Sequence, residues 1–392
     1  MGADSSISSN NNNQWKYSGD MIFPITSNRD SSAGYSQIKD NRNVHSSKSV
    51  HNLVVTAFHG IWSMEFPTCL APIPRTGFFF FYDKKRQNVY VGYGFSEKHG
   101  TLDDVWELNV MTRQWREIKL HGEKRNGRGG AKACLIGDNL LIFGGYSKPN
   151  YYADLHTINI ITGEVKSVTT NGHQPEPRSS PIVAFYNGKY YMWGGFNNHW
   201  QSELNVLDFK TNTWSQYQQG ISGRTAVPFV IMCNVLYSFG CSKSGGMLTL
   251  NFDTNKVEIK NTIGVEPPSS VIGSGMVRIG KYALFFGGKG KGEHTLVYAC
   301  DLLKMWWFVF HILPDGKSVT LVDGKISEFG LFMLPRIHSF GYCYVKEKRE
   351  VLAYLGYPEK DPPPLFIISI GEALAFLNLR DDMIDIFQNN YI

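Results

Sequence analysis

The chain has 392 residues, of which 42% are hydrophobic, 14% are aromatic and 39 are glycine. This composition suits many short strands that pack face to face and are joined by tight turns, so we predict an all-β fold. The 39 Lys and Arg residues against 34 Asp and Glu residues give a net charge of +5, which is too mild for a dedicated nucleic-acid-binding protein. We therefore expect no nucleic acid partner.

The six cysteines are scattered through apolar segments without a Cys-x-x-Cys pair, which predicts buried free thiols. The amino terminus lacks the charged and apolar regions of a signal peptide, no Asn-x-Ser/Thr sequon occurs, and no apolar run is long enough to span a bilayer. These features predict a soluble, cytoplasmic protein.

Residues 1–50 are predicted to form an N-terminal extension, which is rich in Ser and Asn at its start. Its first six residues, Met1 to Ser6, fit the pattern for N-myristoylation of Gly2. Basic residues and cysteine are missing from the first 13 positions, so the second signal that stable membrane attachment needs is absent. Membrane association is expected only if Gly2 is acylated, and the sequence leaves both states open.

One sequence motif recurs six times from about Pro74 to the end of the chain. It opens at Pro74-Arg75, Gly127-Arg128, Pro177-Arg178, Gly223-Arg224, a degenerate Pro268-Ser269 and Pro335-Arg336. Two predicted strands follow each opening, and the second ends on small residues such as Phe143-Gly144-Gly145 and Trp193-Gly194-Gly195. The offset from Arg to Gly is sixteen residues in three successive copies.

The third and fourth predicted strands of each unit are joined by a turn of the form Asn/Asp-x-x-Thr-x-x-Trp. Examples are Asn109 to Trp115 and Asp208 to Trp214. Short polar side chains accept backbone N–H bonds in such a bend, and Trp supplies a large apolar body for packing between sheets.

These repeats resemble the kelch family, whose unit is a four-stranded blade with a diglycine at the end of its second strand and a Trp in its fourth. The resemblance implies a six-bladed β-propeller over residues 51–370, with a seven-bladed ring as the alternative. Propellers of this family commonly close by lending a strand from one terminus to the blade at the other. Residues 61–66, with Trp62 placed as Trp115 is, are predicted to be the fourth strand of blade six. Residues 371–392 are rich in helix formers and are predicted to form a short C-terminal helical tail.

In kelch proteins that bind acidic peptides, arginines at the opening position face the channel mouth and bind carboxylates. The matching candidates for partner binding here are Arg75, Arg128, Arg178, Arg224 and Arg336. Arginine suits this task because its planar fork binds carboxylate in bidentate fashion. The alternative is a structural role, in which these side chains satisfy carbonyls between blades.

The link between units five and six is about twenty residues longer than its counterparts and runs from His311 to Leu334. Asp315-Gly316 and Asp323-Gly324 bracket residues 318–322, which predicts a projecting hairpin with a strand there. The preceding residues 305–308, Met-Trp-Trp-Phe, are predicted to be blade core.

Some kelch-like propellers are enzymes, so the fold does not exclude a copper oxidase or a sugar mutarotase. No His-Glu-x-x-His spacing and no phosphate loop before a helix occurs. His99, His199 and His294 fall in equivalent loops but on separate blades. We therefore predict no catalytic residues, no metal and no cofactor.

The resemblance implies a non-catalytic scaffold that presents its loops to a protein partner within a larger assembly. The expected partner is an acidic peptide or a cytoskeletal component, so the expected location is the cytoplasm with cytoskeletal or membrane association. A propeller enzyme is the alternative function.

Overall fold

The structure is a computed structural model. It describes residues 60–290, 295–310, 312–319 and 334–370, together with the backbone of short strands at 15–18, 21–24, 55–56, 325–326 and 332–333. Within these ranges the regular secondary structure consists entirely of strands, and no helix that could cross a membrane is found there. Gly2 and the predicted helical tail at 371–392 lie outside the described residues.

Four strands precede the first complete blade. They are β1 (Trp15–Ser18), β2 (Met21–Pro24), β3 (Val55–Thr56) and β4 (Gly60–Glu65). The first three form a separate three-stranded sheet, whereas β4 pairs with the last strand of the chain.

Blades 1 to 3 each have four antiparallel main strands, called a to d from the centre outward. Blade 1 has β5 (Phe79–Asp83), β6 (Asn88–Gly92), the loop pair β7 (Phe95–Ser96) and β8 (Gly100–Thr101), β9 (Val105–Asn109) and β10 (Gln114–Ile118). Blade 2 has an edge strand β11 (His121–Gly122), β12 (Lys132–Ile136), β13 (Asn139–Phe143), the loop pair β14 (Tyr146–Ser147) and β15 (Asn150–Tyr151), β16 (Leu155–Asn159) and β17 (Glu164–Ser167). Blade 3 has an edge strand β18 (Asn171–Gly172), β19 (Ile182–Tyr186), β20 (Lys189–Trp193), β21 (Leu204–Asp208) and β22 (Thr213–Tyr217).

Blades 4 to 6 repeat this plan. Blade 4 has β23 (Phe229–Met232), β24 (Val235–Ser238), β25 (Met247–Asn251) and β26 (Lys256–Lys260). Blade 5 has an edge strand β27 (Ile263–Gly264), β28 (Gly275–Ile279), β29 (Tyr282–Phe286), β30 (Val297–Asp301) and β31 (Trp306–Phe310). The chain then forms the edge strand β32 (Ile312–Pro314), the hairpin β33 (Lys325–Ile326) and β34 (Phe332–Met333), and strands a to c of blade 6, which are β35 (Gly341–Val345), β36 (Glu350–Tyr354) and β37 (Leu365–Ser369).

Strand β4 is the fourth strand of blade 6, as the sequence predicts. It pairs antiparallel with β37, with Glu65 opposite Leu365. Trp62 is fully buried, and its ring stacks on Phe366 with 5.3 Å between the centroids. The two ends of the ring are therefore joined within one sheet.

Six hydrophobic clusters hold the blades together, and each is built from two neighbouring blades. Tryptophans contribute to this packing, because Trp214 and Trp307 of strand d are buried. Trp306, Trp307 and Phe308 are all buried, so the predicted core role of this segment is confirmed. Burial of such large apolar side chains is the main source of stability in a ring of sheets.

Two backbone features mark the six-fold repeat at the centre. In each blade, the backbone carbonyl of one residue accepts a hydrogen bond from an N–H of the preceding blade, at 2.7–2.9 Å. We call these residues the ring positions; they are Arg75, Arg128, Arg178, Arg224, Val271 and Ile337. Two residues after each ring position the backbone has φ between +50° and +71°, at Gly77, Gly130, Ser180, Ala226, Gly273 and Ser339. Since all six junctions are bonded in this way, the six-bladed ring is confirmed and the seven-bladed alternative is wrong.

Two local predictions need correction. Ser318 and Val319, predicted to begin a strand, instead follow Asp315, whose carboxylate accepts the N–H groups of Lys317, Ser318 and Val319. The start of the insertion is the edge strand β32, and the hairpin pairs β33 with β34. All six cysteines are free, but only Cys134, Cys300 and Cys343 are buried, and Cys69 and Cys233 are exposed.

Candidate protein-interaction face

The first four ring positions are occupied by buried arginines. Arg75 and Arg178 are fully buried, Arg128 is 3% exposed and Arg224 is 4% exposed. In blades 2, 3 and 4 the Nη1 atom donates to the carbonyl of the glycine that ends strand b, at 3.3, 3.3 and 3.0 Å. These bonds explain the sixteen-residue offset in the sequence, because Arg and Gly are the two ends of the same contact.

A carboxylate from the same blade neutralises each of the first three arginines. Arg75 forms a bidentate pair with Asp104, in which the Nη2–Oδ2 distance is 2.8 Å. Arg128 pairs with Asp154, and Arg178 Nη2 lies 2.5 Å from Glu203 Oε1. Each acid directly precedes strand c of its blade. Buried charges are normally paired in this way, because an isolated buried ion is costly.

Blade 4 breaks this pattern. The residue before its strand c is Gly246, so the position of the carboxylate is occupied by a residue without a side chain. Among the described residues Arg224 forms no ion pair, and its side chain has one hydrogen bond, to the Gly240 carbonyl. Burial lowers the pKa of the Arg224 guanidinium. Arg224 is therefore the one buried ring arginine that keeps capacity for an external acid.

Blade 6 is shifted by one residue relative to the sequence alignment. The ring carbonyl belongs to Ile337, which accepts the Gly288 N–H at 2.8 Å, and Ile337 is buried. Arg336 therefore lies one residue before the ring position, and it is exposed. In the sequence, Pro335-Arg336 aligns with the openings of the other units. In the structure, the hydrophobic residue Ile337 takes the ring position of blade 6. The partner-binding role of the five arginines stays a prediction.

Aromatic residues, some exposed and some half-buried, surround the same face of the ring. The residue after the second glycine at the end of strand b is aromatic in four blades, at Phe95, Tyr146, Phe196 and Tyr357. Phe95 is 45% exposed and Tyr357 is 43% exposed. All four form isolated bridges or short pairs with the segment that follows the ring arginine or its equivalent, so the backbone holds their side chains at the mouth of the ring.

Blades 2 and 3 extend this set into a continuous aromatic patch, which consists of Tyr146, Tyr151, Phe196 and Trp200. The ring centroids are 4.6 Å apart for Tyr146 and Tyr151, 6.4 Å for Tyr151 and Phe196, and 5.2 Å for Phe196 and Trp200. Trp200 is 47% exposed. Tyr146, Tyr151 and Phe196 are half-buried. Clustered aromatic side chains that reach the surface are typical of protein interaction sites, because they bury much area at low entropic cost.

A polar cleft of about 310 Å³ lies beside this face, between blades 1 and 2, and its lining includes Tyr93 and Arg125. Behind it, His156 is fully buried, with Nε2 2.8 Å from the Tyr93 hydroxyl and Nδ1 3.2 Å from Asp154 Oδ2. Burial lowers the pKa of His156, although hydrogen bonding and charge attraction by Asp154 oppose the shift. The imidazole is therefore a neutral part of the contact between these blades.

The equivalent-loop histidines are not gathered into a site within the described part of the chain. His99 and His199 are exposed on separate blades, and His294 lies outside the described residues. No group of three or more His, Cys, Asp or Glu side chains within the described ranges is placed to hold a metal ion.

The sequence motifs identified the arginines but missed the aromatic patch. A signal was available, because the same alignment that lines up the diglycines also lines up Phe95, Tyr146, Phe196 and Tyr357. Trp200 does not lie at a position that repeats between blades, and only the fold of its loop places it beside Phe196.

Comparison with known proteins agrees with this architecture. A family model described as the KLHDC2/KLHL20/DRC7 Kelch-repeats domain matches residues 39–241. Kelch domain-containing protein 1 of Homo sapiens is 25% identical over 217 residues, which cover 46% of this chain and 53% of that protein. Kelch domain-containing protein 10 of Xenopus laevis is 27% identical over 150 residues, 36% of each chain.

A third relative is the Acyl-CoA-binding domain-containing protein 5 of Arabidopsis thaliana, which is 32% identical over 118 residues, 29% of this chain and 18% of that protein. The alignments to these three relatives thus span between about a fifth and about half of each relative's own length. Since the family model covers more than half of the chain and the six blades carry its repeat, the chain belongs to the kelch-repeat family.

Proposed function

We propose that this propeller is a non-catalytic protein-binding module whose partner docks on the face that carries the b–c loops. The observation that carries the proposal is the partly exposed aromatic patch of Tyr146, Tyr151, Phe196 and Trp200. These side chains lie on loops fixed by a rigid ring, the usual arrangement for recognition sites. Membership of a family whose propellers commonly bind proteins supports the same function.

The charge on the b–c loops of blades 2, 4 and 5 favours an acidic partner, whereas the same loop of blade 1 carries the exposed Glu97. Exposed lysines occupy the b–c loops of blades 2, 4 and 5, at Lys148, Lys243 and Lys289. Arg224 adds a buried guanidinium that no carboxylate of the described chain neutralises. We expect an aspartate or glutamate of the partner to approach Arg224 while apolar partner residues cover the aromatic patch, since arginine binds carboxylate well at interfaces.

Affinity purification from native cells tests the binding face. A Phe196→Ser, Trp200→Ser double variant should recover much less of the partner than the unmodified chain, and affinity for the purified partner should fall by about tenfold or more. The matched control is Ile161→Ser, because Ile161 is 66% exposed but lies in the c–d turn at the opposite face. Equal loss in the control, or no loss in the double variant, contradicts the proposal.

The acidic component is tested separately with Arg224→Ala. We expect weaker binding of the same partner and a smaller dependence of affinity on salt, because one charge pair is removed. Unchanged binding together with a lower melting temperature would show that Arg224 has a structural role only.

A further inference from the structure

Four of the six blades carry a fifth strand at their outer edge. In blades 2, 3 and 5 a two-residue segment pairs in parallel with strand d, and in blade 6 the three-residue β32 pairs with β4. In blade 5 the Ile263 N–H donates to the Met305 carbonyl and the Val265 N–H donates to the Trp307 carbonyl, at 2.9 and 3.0 Å. We call the space beside strand d that receives this segment the edge slot.

A glycine is required in three of these segments. Gly122, Gly172 and Gly264 have φ of +93°, +81° and +86°, and a Cβ at each would lie 2.1–2.8 Å from a carbonyl oxygen of strand d. The edge slot therefore selects an extended segment of the form x-Gly-x, because only glycine permits both the dihedral angle and the close approach.

Blade 4 fills its edge slot with one side chain. Gln219 Oε1 accepts the Val257 N–H at 2.9 Å, and Gln219 Nε2 donates to the Asn255 carbonyl at 3.1 Å. Asn255 and Val257 occupy the positions of Met305 and Trp307 in blade 5. Gln219 thus satisfies part of this edge where the strand is missing.

Blade 1 has neither device among the described residues. Trp115 occupies the position of Trp307, and its sheet has four strands only. No hydrogen bond joins the described chain to the outward N–H and carbonyl of Trp115 or to the carbonyl of Arg113. Cys69 stands where the edge-slot glycine would be, six residues before the ring arginine, and it is exposed.

Among the described residues this slot is unfilled, and it opens into a shallow groove. The groove is lined by the apolar side chains of Phe66, Trp115, Tyr354, Pro363 and Leu365 and by the charged pair of Glu65 and Arg113. Phe66 is 51% exposed, and the neighbouring Leu70 is 72% exposed. A free sheet edge beside exposed apolar side chains is a template for pairing with an added strand.

We propose that the edge slot of blade 1 binds an extended segment of a partner protein, of the form x-Gly-x, which pairs in parallel with β10. The glycine faces Trp115, as Gly264 faces Trp307, and a neighbouring apolar side chain enters the groove at Phe66. This site lies at the rim of the ring, away from the aromatic patch, and does not depend on the function proposed for that face.

A peptide that copies residues 261–267 of this chain is the direct probe, because that segment fills the equivalent slot of blade 5. We expect the labelled peptide to bind the full chain in fluorescence anisotropy, and a peptide carrying Gly264→Val to bind about tenfold more weakly. Hydrogen exchange at the Trp115 N–H should be faster in the free chain than at Trp307, and slower once the peptide is bound.

Substitutions at two exposed residues locate the site where the peptide binds. Phe66→Asp should weaken peptide binding about tenfold, whereas Leu303→Asp, at a residue 69% exposed in the c–d turn of blade 5, should leave it unchanged. Absence of binding, equal binding of both peptides, or protection of Trp115 in the free chain equal to that of Trp307 overturns the proposal. Protection of the Trp115 N–H that rises with protein concentration also overturns the proposal, because it shows that a second copy of this chain binds the edge.

Discussion

Arginines at the ring positions combine two roles that the sequence alone does not separate. The backbone of Arg178 accepts a hydrogen bond from blade 2, while its guanidinium bonds Glu203, the Gly194 carbonyl and the Glu176 carbonyl within blade 3. Burial lowers the pKa of Arg178, and attraction by Glu203 opposes the shift. The charge is retained because the carboxylate is held beside it.

Arg178→Ala and Arg224→Ala are expected to differ in stability. Removing Arg178 leaves the Glu203 carboxylate without its partner and should lower the free energy of unfolding by about 3–5 kcal/mol. Removing Arg224 leaves no carboxylate behind, so the loss should be only about 1–2 kcal/mol. Urea unfolding measures both values. Equal losses of unfolding free energy would contradict the prediction that the unpaired Glu203 carboxylate makes Arg178→Ala the less stable variant.

His156 should make stability depend on pH. Burial depresses the pKa of His156 in the folded chain below the ordinary value of 6.5, so the unfolded chain binds the proton more readily. The contribution is fully present above about pH 6.5 and decreases as the pH falls below that value. The groups that face the ring are Tyr93, Asp154, Arg125 and Arg128, and Asp154, whose pKa is lowered to about 2, stays charged in this window.

The test compares the unmodified chain with His156→Gln in urea unfolding at several pH values. The variant should lose much of the decline in stability between neutral pH and pH 5. If both chains show the same decline, another group is responsible for it.

At the level of elements, closure depends on a single strand. Strand β4 supplies the outer strand of blade 6, and β32 then pairs with β4 in parallel. The Asp315 N–H donates to the Trp62 carbonyl at 2.8 Å, and the Ser318 hydroxyl accepts the Met64 N–H at the same distance. The long insertion is thus partly a structural clamp on the closing strand.

Trp62→Ala should destabilise the ring strongly. The side chain is fully buried against Phe366 and the cluster between blades 5 and 6, so its loss should cost about 3–5 kcal/mol. Phe66→Ala, which changes an exposed residue just beyond the same strand, is the control and should cost little. Thermal unfolding measures both, and a small effect of Trp62→Ala would mean that β4 does not hold the ring closed.

For the whole molecule, closure predicts cooperative unfolding. The first strands of neighbouring blades contact each other at five of the six junctions, including β35 with β5, and a hydrophobic cluster joins blades 3 and 4. Every blade therefore packs against both neighbours. An open repeat array unfolds as a sum of neighbouring units, whereas a closed ring should unfold in one transition. Urea transitions followed by circular dichroism and tryptophan fluorescence should coincide for the chain and for Leu250→Ala in blade 4. Separate transitions would contradict this prediction.

Particular residues show which features of the fold the sequence motifs could predict and which they could not. The Asn109 to Trp115 turn and the diglycines predicted blades, and Trp62 predicted the closing strand, because each motif is a local requirement of one strand or turn. The alignment failed at Arg336, since a one-residue shift is invisible when Ile337 takes the ring position. The binding face was only partly predictable, because the contact of Phe196 with Trp200 depends on a loop shape rather than on a repeat.

The sequence by itself determined the repeat unit, the number of blades favoured and the strand that closes the ring, because short-range turn chemistry and alternating apolar residues specify these features. Only the tertiary structure decided which arginines are neutralised. That depends on whether the residue before strand c is Asp104, Asp154, Glu203 or the side-chain-free Gly246, about 22 to 29 residues away in each case. Within the described ranges it likewise showed that blade 1 lacks a fifth strand, which is recognised only by comparison with the other five blades.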